Sequence, residues 1–540
     1  MVHLQRPTLD RPWIRTAAFV VVLLWGLYQC AWNLLGANTQ GDESIYVRSG
    51  WDYVHGDFAD NREHPPFAKV LFGAAQLVTG HGVLGPRVVV AVLVVAVAVV
   101  VFLWLRRHVG FWAGLTGAGL WLLTPRGGVG ARIDRMALLD PVMAIVALLA
   151  LAAAWAWVRS DRWWLAPVSG ALMALSVTSK VSSVVLLPAF LLLPVLHRQW
   201  RKLWVGGLAW LVAFVVVVVV VYVPMGLRSA ITYMVAFQNG QNTHGHPITI
   251  DGHVYTFAPW WANLHFFARG VGPVMVVVIV VGLLCAFAIR PDALVAYLGA
   301  ALGLLVVFYV VVAKIALPHY YEAWMPLALV LTAIGYARLA SLGADALGRR
   351  VERPGTGPWP QRGTETATGT ETATGTETAT GTETVTAPAA SAPALRPRRT
   401  TRRRATPATW LALALVLVTV VPSVGLSRAV ATEHPTGIAL VDGYLRREGV
   451  DGGRVLFNSA TPTMFQPYFL GRATMDTRQG PFVAIVIGDD VRFPVDGRVA
   501  ALLREHRQDL RRAEVGGLQV WTPRPAGRIQ DVAGALTVVR

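Results

Sequence analysis

Long apolar runs separated by short charged breaks dominate the first 340 residues. Residues 86–105, PRVVVAVLVVAVAVVVFLWL, hold no acidic residue and a single basic one near the edge. A helix of about 20 apolar residues matches the hydrocarbon thickness of a bilayer. Similar runs occupy about 16–36, 110–158, 164–196, 204–289, 293–340 and 408–426. Basic clusters punctuate them: Arg106/Arg107, Arg159/Arg162, Arg198/Arg201/Lys202, Arg290, then Arg349, Arg350 and Arg353. Lys and Arg are retained on the cytoplasmic side, so an even number of crossings separates successive clusters. This parity predicts a helix pair in each of the four longer runs and about eleven spans in all. The N-terminus is expected in the cytoplasm and the C-terminus outside the cell membrane. The weakest pair is 164–178 with 182–196, because about 15 residues is short for a span. The first run follows Arg6, Arg11 and Arg15, as a signal peptide would. Its apolar part is too long for one, and no A-x-A-like cleavage site follows.

Two segments depart from this pattern. Residues 364–381 are three copies of TETATG inside a linker, 341–407, whose Thr, Gly and Ala cannot build a core. After a last span at 408–426, residues 427–540 mix short β-rich runs with amphipathic ones. VLFNSA (455–460), FVAIVIGD (482–489) and LQVWTP (518–523) read as strands, and 437–449 and 498–514 as helices. The expected fold is therefore an α-helical polytopic membrane module, 1–340, carrying a small extracytoplasmic α/β domain, 427–540.

Composition supports the membrane reading and alters the reading of charge. Hydrophobic residues make up 54% of the 540-residue chain and charged ones 15%, well below the roughly 25% charged of soluble proteins. A soluble enzyme, a fibrous protein and a disordered chain are excluded. The net charge of +17 would suggest nucleic acid in a soluble protein. Here it mostly marks the cytoplasmic turns, so no nucleic-acid partner is expected. The run RPRRTTRRR (396–404) reads as a cytoplasmic stop signal, or as a contact for anionic headgroups. The two cysteines, Cys30 and Cys285, lie in apolar runs and form no disulfide framework. Of 48 basic residues only four are lysine, at 69, 180, 202 and 314, a bias of GC-rich bacterial genomes of the actinobacterial kind.

The remaining ionisable residues gather at the outer mouths, and charged groups at membrane depth are functional candidates because burying them is costly. The first outer loop, 37–69, places Asp42–Glu43 just after the first helix and Glu63–His64–Pro65–Pro66 before Lys69. Glu43, Tyr46, Val47 and Gly50 fall at helical spacing, which suggests a short interfacial helix. A proline-led helix start after Pro66 would expose N–H groups suited to an anion. The competing reading is an ordinary acidic loop at a membrane surface. Farther on, Arg135 precedes Asp140 at the head of an apolar run, where Arg135 or Arg132 would be its plain ion-pair partner. Lys180, Lys314, His319, Tyr320 and Glu322 stand at later mouths. Lysine as a point-charge phosphate ligand would explain why three of the four lysines sit there, with chance as the alternative. His244 and His246 are spaced HxH, an unspecific metal signal. Trp260 and Trp261 suit stacking on a sugar or an interfacial aromatic belt.

The acidic pair, HPPFAK (64–69), RMALLDP (135–141), Ser179–Lys180 and LPHYYEAWMP (317–326) together resemble the GT-C superfamily of membrane glycosyltransferases. The similarity spans roughly 15–340 and favours the protein O-mannosyltransferase-like and aminoarabinose-transferase-like branches. His64 matches the mannosyltransferase side. The resemblance implies a polyprenyl-phosphate-linked sugar donor, and an acceptor hydroxyl on a protein or cell-envelope glycan. It implies a catalytic Asp42 acting as base, with Glu43 and Asp140 in support. His64, Lys69, Arg135, Lys180, His319 and Tyr320 would meet the donor phosphate. Glu63, His244 and His246 would hold a divalent metal ion if one is used, and Trp260 and Trp261 would touch acceptor or sugar. Physical argument runs the same way. A phosphate leaving group needs cations, an acceptor hydroxyl needs a carboxylate within reach, and a single carboxylate opposite the phosphate implies inversion. A lipid-linked sugar flippase or transporter is the alternative built from the same features.

Overall fold

The structure, a computed structural model, describes residues 12–351 except 129 and 161. It also describes 407–539 except 451, 461–467, 470–471, 490–492 and 525–526. The TETATG repeats and the arginine run 396–404 lie outside the described residues. Each of the eleven expected apolar segments contains a helix. Six are long and apolar enough to cross a bilayer: Pro12–Ala31, Leu84–His108, Leu139–Val158, Lys202–Met225, Ala293–Val312 and Met325–Leu342. A seventh arises if Ala262–Val271 and Pro273–Ala288, bent by 108°, form one broken span. Phe111–Leu123, Leu165–Val177 and Val181–Leu196 are shorter. The protein is a multi-pass membrane protein with a C-terminal α/β region.

In chain order, α1 is Pro12–Ala31, α2 Gly41–Val54, α3 Phe67–Thr79, α4 Leu84–His108 and α5 Phe111–Leu123. They are followed by α6 Leu139–Val158, α7 Leu165–Val177, α8 Leu187–Leu196, α9 Gly207–Tyr222 and α10 Leu227–His244. The strands β1 Ile248–Ile250 and β2 His253–Tyr255 form an antiparallel hairpin. Then come α11 Ala262–Val271, α12 Pro273–Ala288, α13 Ala293–Val307, α14 Met325–Val351 and α15 Pro407–Thr432. The helix α14 runs past the expected boundary at 340. The most enclosed helix is α6, buried along most of its length, while α9 turns valines such as Val212, Val216 and Val220 outward. Outward valine suits a lipid solvent, and close helix approach in such a solvent depends on small residues.

One such approach sets the site. The helices α2 and α3 cross where Gly50 meets Gly73, and a Cβ at Gly73 would collide with the Gly50 carbonyl. The expected interfacial helix is thus α2, and α3 begins directly after Pro66 as anticipated.

The C-terminal region holds α16 Ile438–Arg447, β3 Arg454–Asn458, β4 Ala473–Thr474, β5 Phe482–Ile487 and α17 Gly497–Glu505. It ends with β6 Leu510–Val515, β7 Leu518–Pro523, β8 Arg528–Val532 and β9 Ala535–Val539. The sheet runs β4-β3-β5-β7-β6, with β8 paired to β5 and β9. Strand β3 is parallel to β4 and β5, and the other pairings are antiparallel. Alternation along the strands covers both faces: Val455 and Phe457 pack with Val441 and Leu445 of α16. Leu456 and Ile485 pack with Val499 and Leu502 of α17. The helix expected over 498–514 ends at Glu505, and its second half is strand β6. Gly516 and Gly517, with φ of +59° and +81°, turn that strand back into β7.

Replacing Gly73 by Val is expected to destabilise the protein by about 3 kcal/mol through overpacking and to prise α2 from α3. Thermal melting of the purified protein in detergent checks it.

Candidate active site

The carboxylate of Asp42 is placed by the residues around it. Gln40 caps α2: its side-chain oxygen accepts the N–H groups of Asp42 at 2.7 Å and Glu43 at 3.3 Å. Glu43 closes the capping box by accepting the Gln40 N–H at 3.2 Å. The Glu43 carboxylate then turns inward. It takes two bonds of 2.7 Å from the Arg87 guanidinium and one of 2.8 Å from the Ala137 N–H. Successive helix residues are about 100° apart, so with Glu43 turned inward Asp42 faces outward. It stands 30% exposed on the wall of a cavity of about 460 Å³.

The cavity lies between α2, α10 and the segment 308–320, and its lining is mostly apolar, with Ile45, Phe237, Phe308, Val312 and Leu317. Glu63, His64, Lys180, His246, Lys314 and Tyr320 join Asp42 there. Behind the wall, Asp140 is fully buried and receives the Lys180 ammonium at 2.7 and 2.8 Å. Lys180 therefore supplies the partner expected of Arg135 or Arg132. The ammonium also lies 3.9 Å from the centre of the Tyr320 ring. Nε2 of His319 sits 3.4 Å from Asp140 and 3.8 Å from Asp42. Burial holds this imidazole below its usual pKa, against the pull of Asp140.

Of the expected site residues, the structure brings Asp42, Glu63, His64, Lys180, His246 and Tyr320 to one cavity. It takes others elsewhere. Glu43 is committed to Arg87, and Asp140 and His319 lie behind the wall with no exposed surface. Lys69 is buried and donates to Tyr53 Oη at 2.9 Å, Asn61 O at 2.5 Å and His64 O at 2.9 Å. It staples the 61–64 loop and does not reach the cavity. Arg135 donates to Asn33 O at 2.6 Å and approaches Glu433 at 3.5 Å, so it too serves a loop. His244 is exposed at the end of α10, against the Gly240 carbonyl at 3.1 Å. The set Glu63, His244 and His246 is not brought together, and no group of three metal-ligating side chains occurs among the described residues. Trp260 is 68% exposed, and Trp261 packs against Tyr255 and His265. Neither tryptophan lines the cavity.

Sequence reasoning left several lining residues off its site list. Lys314 makes one hydrogen bond to the chain, to Asn242 O at 3.2 Å, and its rarity as a lysine was the available signal. Gln238, Gln241 and Asn242 share one face of α10 at helical spacing. Ser182 and Tyr309 are hydroxyl partners at 2.7 Å.

With this geometry in view, the chain was compared with known proteins. A family model described as dolichyl-phosphate-mannose-protein mannosyltransferase matches residues 63–225. No curated protein matches the chain. ArnT from Cupriavidus metallidurans, solved bound to undecaprenyl phosphate, is 14% identical with a TM-score of 0.56. That match covers 96% of this chain and 99% of ArnT. The Archaeoglobus fulgidus oligosaccharyltransferase in its apo form is 11% identical with a TM-score of 0.53, over 86% of this chain and 64% of that one. Its counterpart AglB, solved with an inhibitory peptide and a dolichol-phosphate, gives 11% and 0.52, over 89% of this chain and 70% of AglB. Likeness at such identity is likeness of fold, and this chain shares the fold of ArnT and of the archaeal oligosaccharyltransferase.

His64 offers a test of the cavity's polarity. Burial pushes its pKa down to about 3, helped by the charges of Lys69 and Lys180, so it stays neutral when folded. The unfolded imidazole takes up a proton near pH 6.5. The unfolded state therefore binds more protons below that pH, and folding stability falls as pH drops from about 6.5 toward 3. At pH 5 the expected loss is at most about 2 kcal/mol. His64→Gln should remove that part of the acid sensitivity, as read by melting temperatures at pH 7 and pH 5.

Proposed function

We propose that the protein is an inverting glycosyltransferase that moves a sugar from a polyprenyl-phosphate carrier to an acceptor hydroxyl on the extracytoplasmic side of the cell membrane. The observation that carries this reading is the cavity itself: the carboxylate of Asp42, 30% exposed, shares one largely apolar space with the exposed ammonium of Lys314. The family model over 63–225 and the fold shared with polyprenyl-phosphate-binding neighbours support it.

The chemistry follows from the groups present. The acceptor hydroxyl gives its proton to Asp42 while its oxygen bonds to the anomeric carbon. The bond from that carbon to the phosphate oxygen breaks, and the electron pair stays with the phosphate. Charge grows on the leaving phosphate in an oxocarbenium-like transition state, so cations aimed at that spot lower the barrier. Lys180 is already neutralised by Asp140. Lys314, with donors to spare, is the phosphate ligand, and neutral His64 contributes a hydrogen bond without charge. Asp42 acts as the base on the face opposite the phosphate, while Glu63, on the same cavity, accepts the Asn61 amide at 2.8 Å; a single base on that face gives inversion. Apolar walls such as Phe237, Phe308 and Val312 suit the first isoprene units of a lipid carrier. The acceptor is a protein or a cell-envelope glycan. No step is routed through a metal ion.

The basic helix ends Arg106/Arg107, Arg159 and Arg198 to Lys202 fall at the far end of the bundle from the cavity, which supports a cytoplasmic N-terminus and an outward-facing cavity. A transporter would instead set polar groups on broken helices near the midplane.

Asp42→Asn is expected to lower transfer about 100- to 10,000-fold with unchanged membrane insertion, and Lys314→Met to raise the donor KM. A radiolabelled transfer assay on purified membranes with several polyprenyl-phosphate sugars reads both. Full activity of the Asp42→Asn protein would overturn the assignment.

A further inference from the structure

The outer domain has no cavity residue in the site, yet its first residues grip the strip of chain that leads into α2. Asn33, in the left-handed region at φ +51°, donates its amide to Val430 O at 3.1 Å and Glu433 O at 2.7 Å. Gly36 passes so close to the Glu433 carbonyl that a Cβ would collide with it. Asn38 and Thr436 bond reciprocally: Asn38 Nδ2 donates to Thr436 Oγ1 at 2.8 Å, and the Thr436 N–H donates to Asn38 Oδ1 at 2.9 Å. The Thr39 N–H donates to the Tyr468 hydroxyl at 2.8 Å. Glu433 reaches across to a second loop and accepts the Ala131 N–H at 2.7 Å.

Only three residues separate Asn38 from Asp42, and they are stiff. Gln40 is locked in the capping box of α2, and the Asn38 carbonyl accepts Arg87 at 3.1 Å. That same guanidinium holds Glu43. A shift at Asn38 must therefore move the first turn of α2, and Asp42 with it. A carboxylate displaced by about 1 Å loses much of its efficiency as a base.

We infer that the outer domain is a positioning element for Asp42, and that the reciprocal Asn38–Thr436 pair is the contact through which it acts. This rests on Asp42 being the catalytic carboxylate. Thr436 is a positioning residue and touches neither donor nor acceptor.

The test uses the full chain in membranes. Thr436→Val and Asn38→Ala are each expected to lower kcat about tenfold while leaving the donor KM within twofold. The double variant should be no worse than Asn38→Ala alone, because Asn38→Ala removes both bonds of the pair and Thr436→Val only the one to the hydroxyl. Thr436→Ser keeps the hydroxyl and should restore kcat. An unchanged kcat in the double variant, or a loss that Thr436→Ser does not recover, would sink the inference. A readout independent of turnover keeps it separate from the transferase reading. In an Asp42→Cys chain, labelling by a membrane-impermeant maleimide should change rate severalfold when Thr436→Val is added. Cys30 is buried and Cys285 lies in α12, so position 42 dominates the signal. An identical labelling rate refutes the inference even if the protein transfers no sugar, and covers the case where the kinetic variants lose stability.

Discussion

The Glu43–Arg87 pair is the contact on which the rest of the site depends. Both side chains are essentially inaccessible to solvent. Burying two charges in an apolar bundle is unfavourable unless geometry is good and the spare hydrogen-bond positions are filled. Here they are filled. Arg87 meets Glu43 through two parallel bonds and spends its remaining donors on the carbonyls of Leu34, Ala37 and Asn38. Glu43 takes up the Ala137 and Gln40 N–H groups. One ion pair thereby joins α2, α4, the strip 34–38 and the loop before α6. It also fixes the rotation of α2, and that rotation alone decides which member of the acidic pair faces the cavity. Adjacent carboxylates with identical chemistry thus receive opposite roles, Glu43 in the frame and Asp42 at the surface.

The same arrangement recurs around the cavity end of the bundle. Arg126 and Arg132 share Asp134, at 2.5 and 2.6 Å, and also cap the carbonyls of Trp121 and Leu122. Lys69 and Arg135 cap loop carbonyls in the same way. Non-helical backbone at membrane depth leaves carbonyls without water, and a buried cation with several donors satisfies two or three at once. This explains why Lys69 and Arg135 were read from the sequence as phosphate ligands. A cation that needs several oxygen acceptors looks the same in one dimension whether those oxygens belong to a phosphate or to the chain's own turns. Only the fold separates them.

Other features were legible, for identifiable reasons. Spans are set by length and apolarity, which are local, so a helix stands at every expected segment. The interfacial helix α2 was visible in the spacing of Glu43, Tyr46, Val47 and Gly50. Strands β3, β5 and β7 were visible as short β-branched runs. The hairpin β1–β2 was overlooked although Asp251–Gly252, with φ of +48° and +84°, is a strong two-residue turn signal. The pair Gly516–Gly517 was passed over in the same way, and half of an amphipathic helix was predicted where β6 lies. At 510–515 amphipathic periodicity over a charged stretch outweighs the turn chemistry of the two glycines. Which outer-mouth residues would meet was not legible, because it depends on helices brought together from distant parts of the chain.

In the proposed reaction, charge balance decides which cation serves the leaving group. Lys180 is among the phosphate ligands that the resemblance implies, and it does reach the cavity wall. Its ammonium nevertheless contacts both oxygens of Asp140 and covers the Tyr320 ring. A cation so engaged lends a phosphate little net field, because the paired carboxylate cancels it at short range. Releasing it would strand a fully buried Asp140 beside His319, at a cost of several kcal/mol. Lys180 and Asp140 are therefore better understood as a rigid, neutral floor behind Asp42. Lys314 is the exposed cation on the cavity wall, bonded to the Asn242 carbonyl at 3.2 Å and 5.6 Å from the centre of the Phe257 ring. In the proposed reaction a donor that carries its own negative charge is drawn to Lys314, and the acceptor is left to approach Asp42.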